Sequence, residues 1–176
     1  MRLRSPRRNS TLARWPLHRE TRRPERRAGS TADSGLRAQA LRLLARRDYS
    51  RRELSERLGG VTADPATLEA LLDELQTRGW LSEQRVADQI VRAAAGRFGV
   101  RKVAQQLIDR GIAAGAADEA LARLRAGELE SAHAALARRF AGSPVDRAEW
   151  ARQARFLARR GFDEEVIERV LGMPEQ

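Results

Sequence analysis

Apolar residues return along this chain at steps of three and four. Leu68, Leu71, Leu72 and Leu75 form one such stripe, Val100, Val103, Ala104, Leu107 and Ile108 a second, and Val166, Ile167, Val170 and Leu171 a third. That spacing puts each set along one side of an α-helix. No stretch alternates with period two or gathers β-branched and aromatic residues. The pattern therefore predicts an all-α fold. Helix starts are readable as well. Ser50 with Glu53 spells a capping box, and Asp146 with Glu149 could form another. Asp64-Pro65 reads as N-cap and first helical position, Ser82 as a cap for the helix that follows, and Asp163 with Glu164 and Glu165 as an acidic first turn.

Helix ends repeat. "LQTRGW" at 75–80, "LIDRGI" at 107–112 and "LARRGF" at 157–162 all read Leu-x-x-Arg-Gly-apolar. Glycine just past a helix takes the left-handed conformation that other residues resist, and the next apolar residue folds back on the leucine. Gly79, Gly111 and Gly161 are thus expected as structural caps, with Leu75–Trp80, Leu107–Ile112 and Leu157–Phe162 as contacts. The arginines Arg78, Arg110 and Arg160 sit where the helix dipole favours a cation. Parsing by these caps gives three units of three helices, over 36–81, 82–127 and 128–176. The expected helices are 36–47, 50–59 and 65–78, then 83–97, 100–110 and 115–126, then 129–141, 146–160 and 163–171. Units this small have little core of their own and gain stability by stacking. An elongated, curved tandem array is the expected shape.

Charge changes the picture at the start of the chain. Of 176 residues, 34 are basic and 24 acidic, a net charge of +10. Residues 1–35 hold ten arginines against Glu20, Glu25 and Asp33, so they supply +7 of it. With three of the six prolines and no apolar period, this Arg/Pro-rich tail is expected to be disordered. It could grip phosphates, or be a solvated extension or the product of an upstream start codon. The absence of cysteine removes thiolate chemistry and fits a reducing compartment. No apolar run approaches the ~18 residues of a membrane span, and the basic start lacks the apolar block of a secretory signal. The expectation is a cytoplasmic protein and a monomer, without membrane contact.

Candidate chemistry is sparse. His18 and His133 stand apart, outside any metal-ligand spacing. There is no phosphate-binding GxxxxGK[ST] loop, GxSxG elbow or SxxK pair. No catalytic residue, metal or cofactor is expected, and no enzyme activity. The basic groups are more suggestive. Arg92, Arg97, Arg101 and Lys102 flank a helix junction in "VRAAAGRFGVRKVAQQL", and Arg46, Arg47, Arg51 and Arg52 form a second group. Such clusters can face nucleic-acid phosphates or an acidic protein groove, or simply be solvated faces.

"LARRDYSRRELSERL" at 44–58, "LDELQTRGWLSEQRVADQIV" at 72–91, "RFGVRKVAQQLIDRGI" at 97–112 and "FLARRGFDEEVIERVL" at 156–171 together resemble the RecX regulatory protein family. The segments fall in the family's order and span nearly all of 36–176, while 1–35 lies outside. Two departures are the ending "LGGVTADP" of the first unit's second helix and an arginine-heavy surface where relatives often carry lysine. The resemblance implies a tandem-repeat fold, no catalysis, and control of the RecA recombinase. A RecX-like protein would lie in the groove of the RecA filament on single-stranded DNA, limit its extension, and lower ATPase, strand-exchange and coprotease activity. DNA repair, homologous recombination and the SOS response are the implied setting. The two basic groups would then meet RecA or the DNA phosphates. A different class of function, a general nucleic-acid-binding protein acting through tail and basic helix faces, shares the same charges.

Overall fold

Four helices begin on a side chain that accepts their free N–H groups. At Ser50 the box is reciprocal: its Oγ accepts from the Glu53 N–H at 3.1 Å, and Glu53 Oε2 accepts from the Ser50 N–H at 3.1 Å. Asp64 accepts from Ala66 and Thr67, Ser82 from Arg85, and Asp146 from Glu149. The Asp146 cap is only half a box, because Glu149 Oε2 takes the Val145 N–H instead. The computed structural model describes residues 26–61 and 64–172, with side chains from Asp33 onward. Among these residues there are nine helices and no strand: α1 (Arg26–Leu44), α2 (Arg51–Leu58), α3 (Pro65–Thr77), α4 (Glu83–Ala94), α5 (Val100–Asp109), α6 (Ala114–Ala126), α7 (Glu128–Ala137), α8 (Arg147–Arg159) and α9 (Glu164–Leu171).

Four boundaries differ from expectation by three residues or more: α1 ends at Leu44 instead of 47 and α7 at Ala137 instead of 141, and two others have a clear local cause or consequence. α1 starts at Arg26, ten residues before position 36, so the expected tail 1–35 overlaps a helix. Gly35 does not interrupt it. A glycine inside a helix costs only about 0.5–1 kcal/mol, and Leu36 and Ala40, both buried, anchor the segment beyond it. Residues 1–25 lie outside the described residues. α4 ends at Ala94 instead of 97, because Gly96 has a φ of 66° and turns the chain.

All three Arg-Gly motifs end their helices as left-handed caps. Gly79, Gly111 and Gly161 have φ values of 69°, 65° and 84°. In each, the residue after the glycine donates to the leucine carbonyl: Trp80 to Leu75 at 2.9 Å, Ile112 to Leu107 at 3.0 Å, and Phe162 to Leu157 at 3.3 Å. Ile112 and Phe162 are buried as the motif requires. Trp80 is not; it remains 42% exposed, beneath the Arg78 guanidinium. The Leu81 N–H also reaches the Leu75 carbonyl, and it is the Leu81 side chain that enters the core.

The buried apolar residues form three separate clusters. One draws on α1 to α3 with Leu81, one on α4 to α6, and one on α7 to α9. The helices are thus a serial array of three-helix groups, each around its own core, and what joins the groups decides the form of the whole.

Candidate interaction surface

The joints are made by the glycine caps. At the first, the C-terminal end of α5 sits on the N-terminal end of α2. Ser50 is fully buried there, and while its Oγ caps α2 it also donates to the Arg110 carbonyl at 2.6 Å. Arg52 donates to the Asp109 carbonyl, and its side chain covers Gly111 so closely that a Cβ would stand 2.7 Å from Nε. Glu83 bridges the same seam, accepting from the N–H groups of Arg51 and Ala113. Arg85 closes it from α4, bonding Asp48 and the carbonyls of Gly79 and Trp80, each at 2.8 Å.

The second joint repeats the first with tighter contact. Here the C-terminal end of α8 sits on the N-terminal end of α5. The Gly99 N–H donates to the Arg160 carbonyl at 3.0 Å, and the Arg101 N–H to the Gly161 carbonyl at 3.1 Å. The Val100 N–H between them is taken by Glu128 Oε1 at 2.9 Å. α5 has no side-chain cap of its own; its orphan donors are satisfied by the next group. α8, α5 and α2 therefore follow one another tail to head, with the negative end of each helix dipole against the positive end of the next. Gly99 is what allows the approach, since a Cβ there would lie 2.3 Å from the Gly161 carbonyl oxygen.

Carboxyl groups in the joints feel these surroundings. Burial opposes ionisation of Glu53, but the Ser50 N–H, Arg47 and Arg110 together hold its carboxyl below the usual range. Glu128 goes the other way. Burial pushes it up, the Val100 N–H works against that, and nearby Asp163 adds to it.

The predicted basic residues divide accordingly. Arg92 and Arg97 are exposed and make no ion pair among the described residues. Arg101 is exposed, 3.8 Å from Asp163, and the Lys102 ammonium lies 4.6 Å over the Phe98 ring. Contacts at the second joint place Arg97, Arg101 and Lys102 together, whereas Arg92 stands on α4, outside those contacts. The second group is mostly engaged inside the molecule. Arg47 pairs with Glu53 and covers Tyr49, Arg51 ties α2 to Glu69 and Asp73 of α3, and Arg52 holds the first joint. Arg46 alone of these four is exposed and makes no ion pair.

Sequence reasoning missed Arg160. It donates to the Arg97 carbonyl at 2.9 Å and lies over both Phe98, at 5.6 Å, and Phe156, at 4.5 Å. Its place in a repeated helix-end motif pointed only to capping.

Comparison with known proteins decides the family. A relative from Leptothrix cholodnii named "Regulatory protein RecX" is 43% identical over 148 residues, covering 84% of this chain and 94% of the relative. The chain belongs to the RecX family. A RecX regulatory protein from Ralstonia nicotianae is 39% identical over 77% of the chain and 86% of its own length. The family description "RecX, third three-helix domain" matches residues 126–171. The crystal structure of RecX from Lactobacillus salivarius superimposes with a TM-score of 0.66 at 18% identity, covering 80% of this chain and 95% of that one. These RecX relatives are named as regulatory proteins, not as enzymes. Among the described residues no helix is long and apolar enough to cross a membrane.

Proposed function

We propose that this RecX-family protein regulates the RecA recombinase in the cytoplasm by lying in the groove of the RecA–single-stranded DNA filament. There it limits filament extension and lowers ATP hydrolysis, strand exchange and coprotease activity. The observation that carries this reading is the repeated joint, which lines up three helix groups in series. A serial body can touch several subunits of a helical partner, and linked contacts raise overall affinity without a deep pocket. Arg92, Arg97, Arg101, Lys102 and Arg46 are the proposed contact residues; Arg47, Arg51 and Arg52 contribute by holding the joint and the first helix group.

RecA-dependent ATP hydrolysis on single-stranded DNA tests the reading. Protein added well below the RecA concentration should inhibit, and the inhibition should persist at moderate salt. A protein that merely covers DNA would act only at saturating amounts and weaken steeply with salt. No inhibition at a stoichiometric amount would refute the proposal. Reversing Arg92, Arg97, Arg101 and Lys102 to glutamate should weaken the inhibition; an unchanged curve would remove them from the contact.

A further inference from the structure

The third helix group is close to neutral overall, yet its arginines are the least neutralised in the molecule. Of the eight arginines described there, only Arg152 has a carboxylate within 4.0 Å among the described residues. In the first group five of eight basic residues are paired that way. The carboxylates of the third group sit largely at helix starts, Asp146 and Glu149 before and in α8, Asp163, Glu164 and Glu165 before and in α9. Four of its arginines, Arg138, Arg139, Arg159 and Arg160, stand at the ends of α7 and α8, and contacts from Arg138 and Arg160 reach the stretch just before α5. Three of the chain's four phenylalanines lie among them. Phe98 carries Arg97, Lys102 and Arg160; Arg160 also covers Phe156; Phe156 meets Phe140 edge-on at 5.3 Å; and Phe140 carries Arg139 and Arg152. Arg138 joins this chain of contacts through the Gly96 carbonyl. Beside Phe140, Arg139, Glu149 and Arg152 line an open hollow of about 500 Å³, within the size range of small-molecule sites.

We propose that Arg97, Lys102, Arg138, Arg139, Arg152 and Arg160, with Phe98, Phe156 and Phe140, form a path for single-stranded nucleic acid across the second joint. The backbone phosphates lie on the cations, and one base enters the hollow against Phe140. Guanidinium groups held against aromatic rings lose little further freedom on binding. Arg97 and Arg139 are exposed with no carboxylate within 4.0 Å among the described residues, while Arg138 and Arg160 each give one N–H to a backbone carbonyl and Arg152 one to Glu149, leaving their other donors for phosphate. Aromatic rings with guanidinium groups beside them and an open hollow suit bases, which stack on aromatic rings and on guanidinium alike. An acidic peptide would use the charges but has no need of the rings. This path goes beyond the regulatory reading, because it is measured without RecA and could fail while RecA inhibition stands.

The test is fluorescence anisotropy of a labelled oligothymidylate with the full chain across a salt series. Arg97→Ala/Arg139→Ala/Arg152→Ala should weaken binding by about tenfold or more at 0.1 M salt and flatten the log–log salt slope by about 2, from roughly 0.7 per phosphate contact on single strands. Arg42→Ala/Arg57→Ala/Arg125→Ala removes the same charge from unpaired arginines elsewhere and should change affinity by less than about twofold, since net charge acts weakly beyond a Debye length. Phe140→Leu keeps apolar bulk without the ring and should cost about fivefold or more, the low end of one stacked base. Equal effects of the two arginine triples would overturn the path. So would poly-glutamate binding as tightly as the oligonucleotide and indifferent to Phe140→Leu, which would mark an acidic polypeptide as the partner.

Discussion

Replacing Gly99 with alanine adds a single methyl group at the second joint. Its φ is −83°, so alanine suits the backbone conformation and the whole effect comes from contact. The new carbon would lie 2.3 Å from the Gly161 carbonyl oxygen, 2.4 Å from the Phe162 nitrogen and 2.5 Å from the Gly161 carbonyl carbon. These are backbone atoms, so no side chain can swing aside. Ordinary contact begins at 3.4 Å, and the two helix groups must separate by about 1 Å to reach it. Overpacking of this kind costs about 1–3 kcal/mol. The same movement weakens the bonds from Gly99 and Arg101 to the α8 end, each worth about 0.5–1.5 kcal/mol net. Against that, alanine gains about 0.4–1 kcal/mol by restricting the unfolded chain. The balance is a loss of about 2–4 kcal/mol. Gly115→Ala is the matched control, because its Cβ would meet nothing within 4 Å; it should be neutral or slightly stabilising. Urea unfolding followed by helical circular dichroism reads both. Equal midpoints for Gly99→Ala and the unaltered protein would refute the tail-to-head seating of α8 on α5.

Three further outcomes follow from the same contacts. Gly111→Val forces a β-branched residue to a φ of 65° and into Arg52; urea unfolding should show a larger loss than for Gly79→Val, where a Cβ meets open space and only the conformational cost applies. Ser50→Ala removes a helix cap and the bond to Arg110 together and should cost about 1–3 kcal/mol by thermal unfolding, whereas a surface-like change below 0.5 kcal/mol would contradict its joint role. Because burial holds the Glu128 carboxyl above its ordinary range, the folded form keeps this proton to higher pH than the unfolded chain. The stability it contributes is therefore present at low pH and lost as pH rises through the glutamate range. Glu128→Gln keeps an acceptor for Val100 without titrating, so its urea midpoint should gain on the unaltered protein between about pH 4 and 7, and a gap independent of pH would count against this account.

Helix positions were legible because caps are local. Ser50, Asp64, Ser82 and Asp146 act within three residues of themselves, and the three glycines turn the chain where they stand. What those caps do next was not legible. Ser50 bonds Arg110 across 60 positions and Gly99 meets Arg160 across 61, and no periodicity reports such a meeting. The one hint at the second joint is Gly99 itself, a glycine where serine or aspartate would cap a helix, which favours close approach. Charge counting by segment was misleading for a related reason. It sums arginines and carboxylates that the helices then carry to different ends, so the third group comes out close to neutral while its arginines stand largely unneutralised. Arg51 and Arg52 show the reverse, a basic pair spent on internal ties.

The plug-and-socket relation between successive second helices gives the middle trio a place unlike the other two. Among the described residues, the start of α8 meets its own donors with the Asp146 and Glu149 carboxylates, and α2 finishes on Gly59 with a φ of −59°, a right-handed turn unlike the left-handed ends of α5 and α8. α5 alone is engaged at both of its ends, as socket for α8 and as plug for α2. Damage to that one helix therefore loosens both of its neighbours at once.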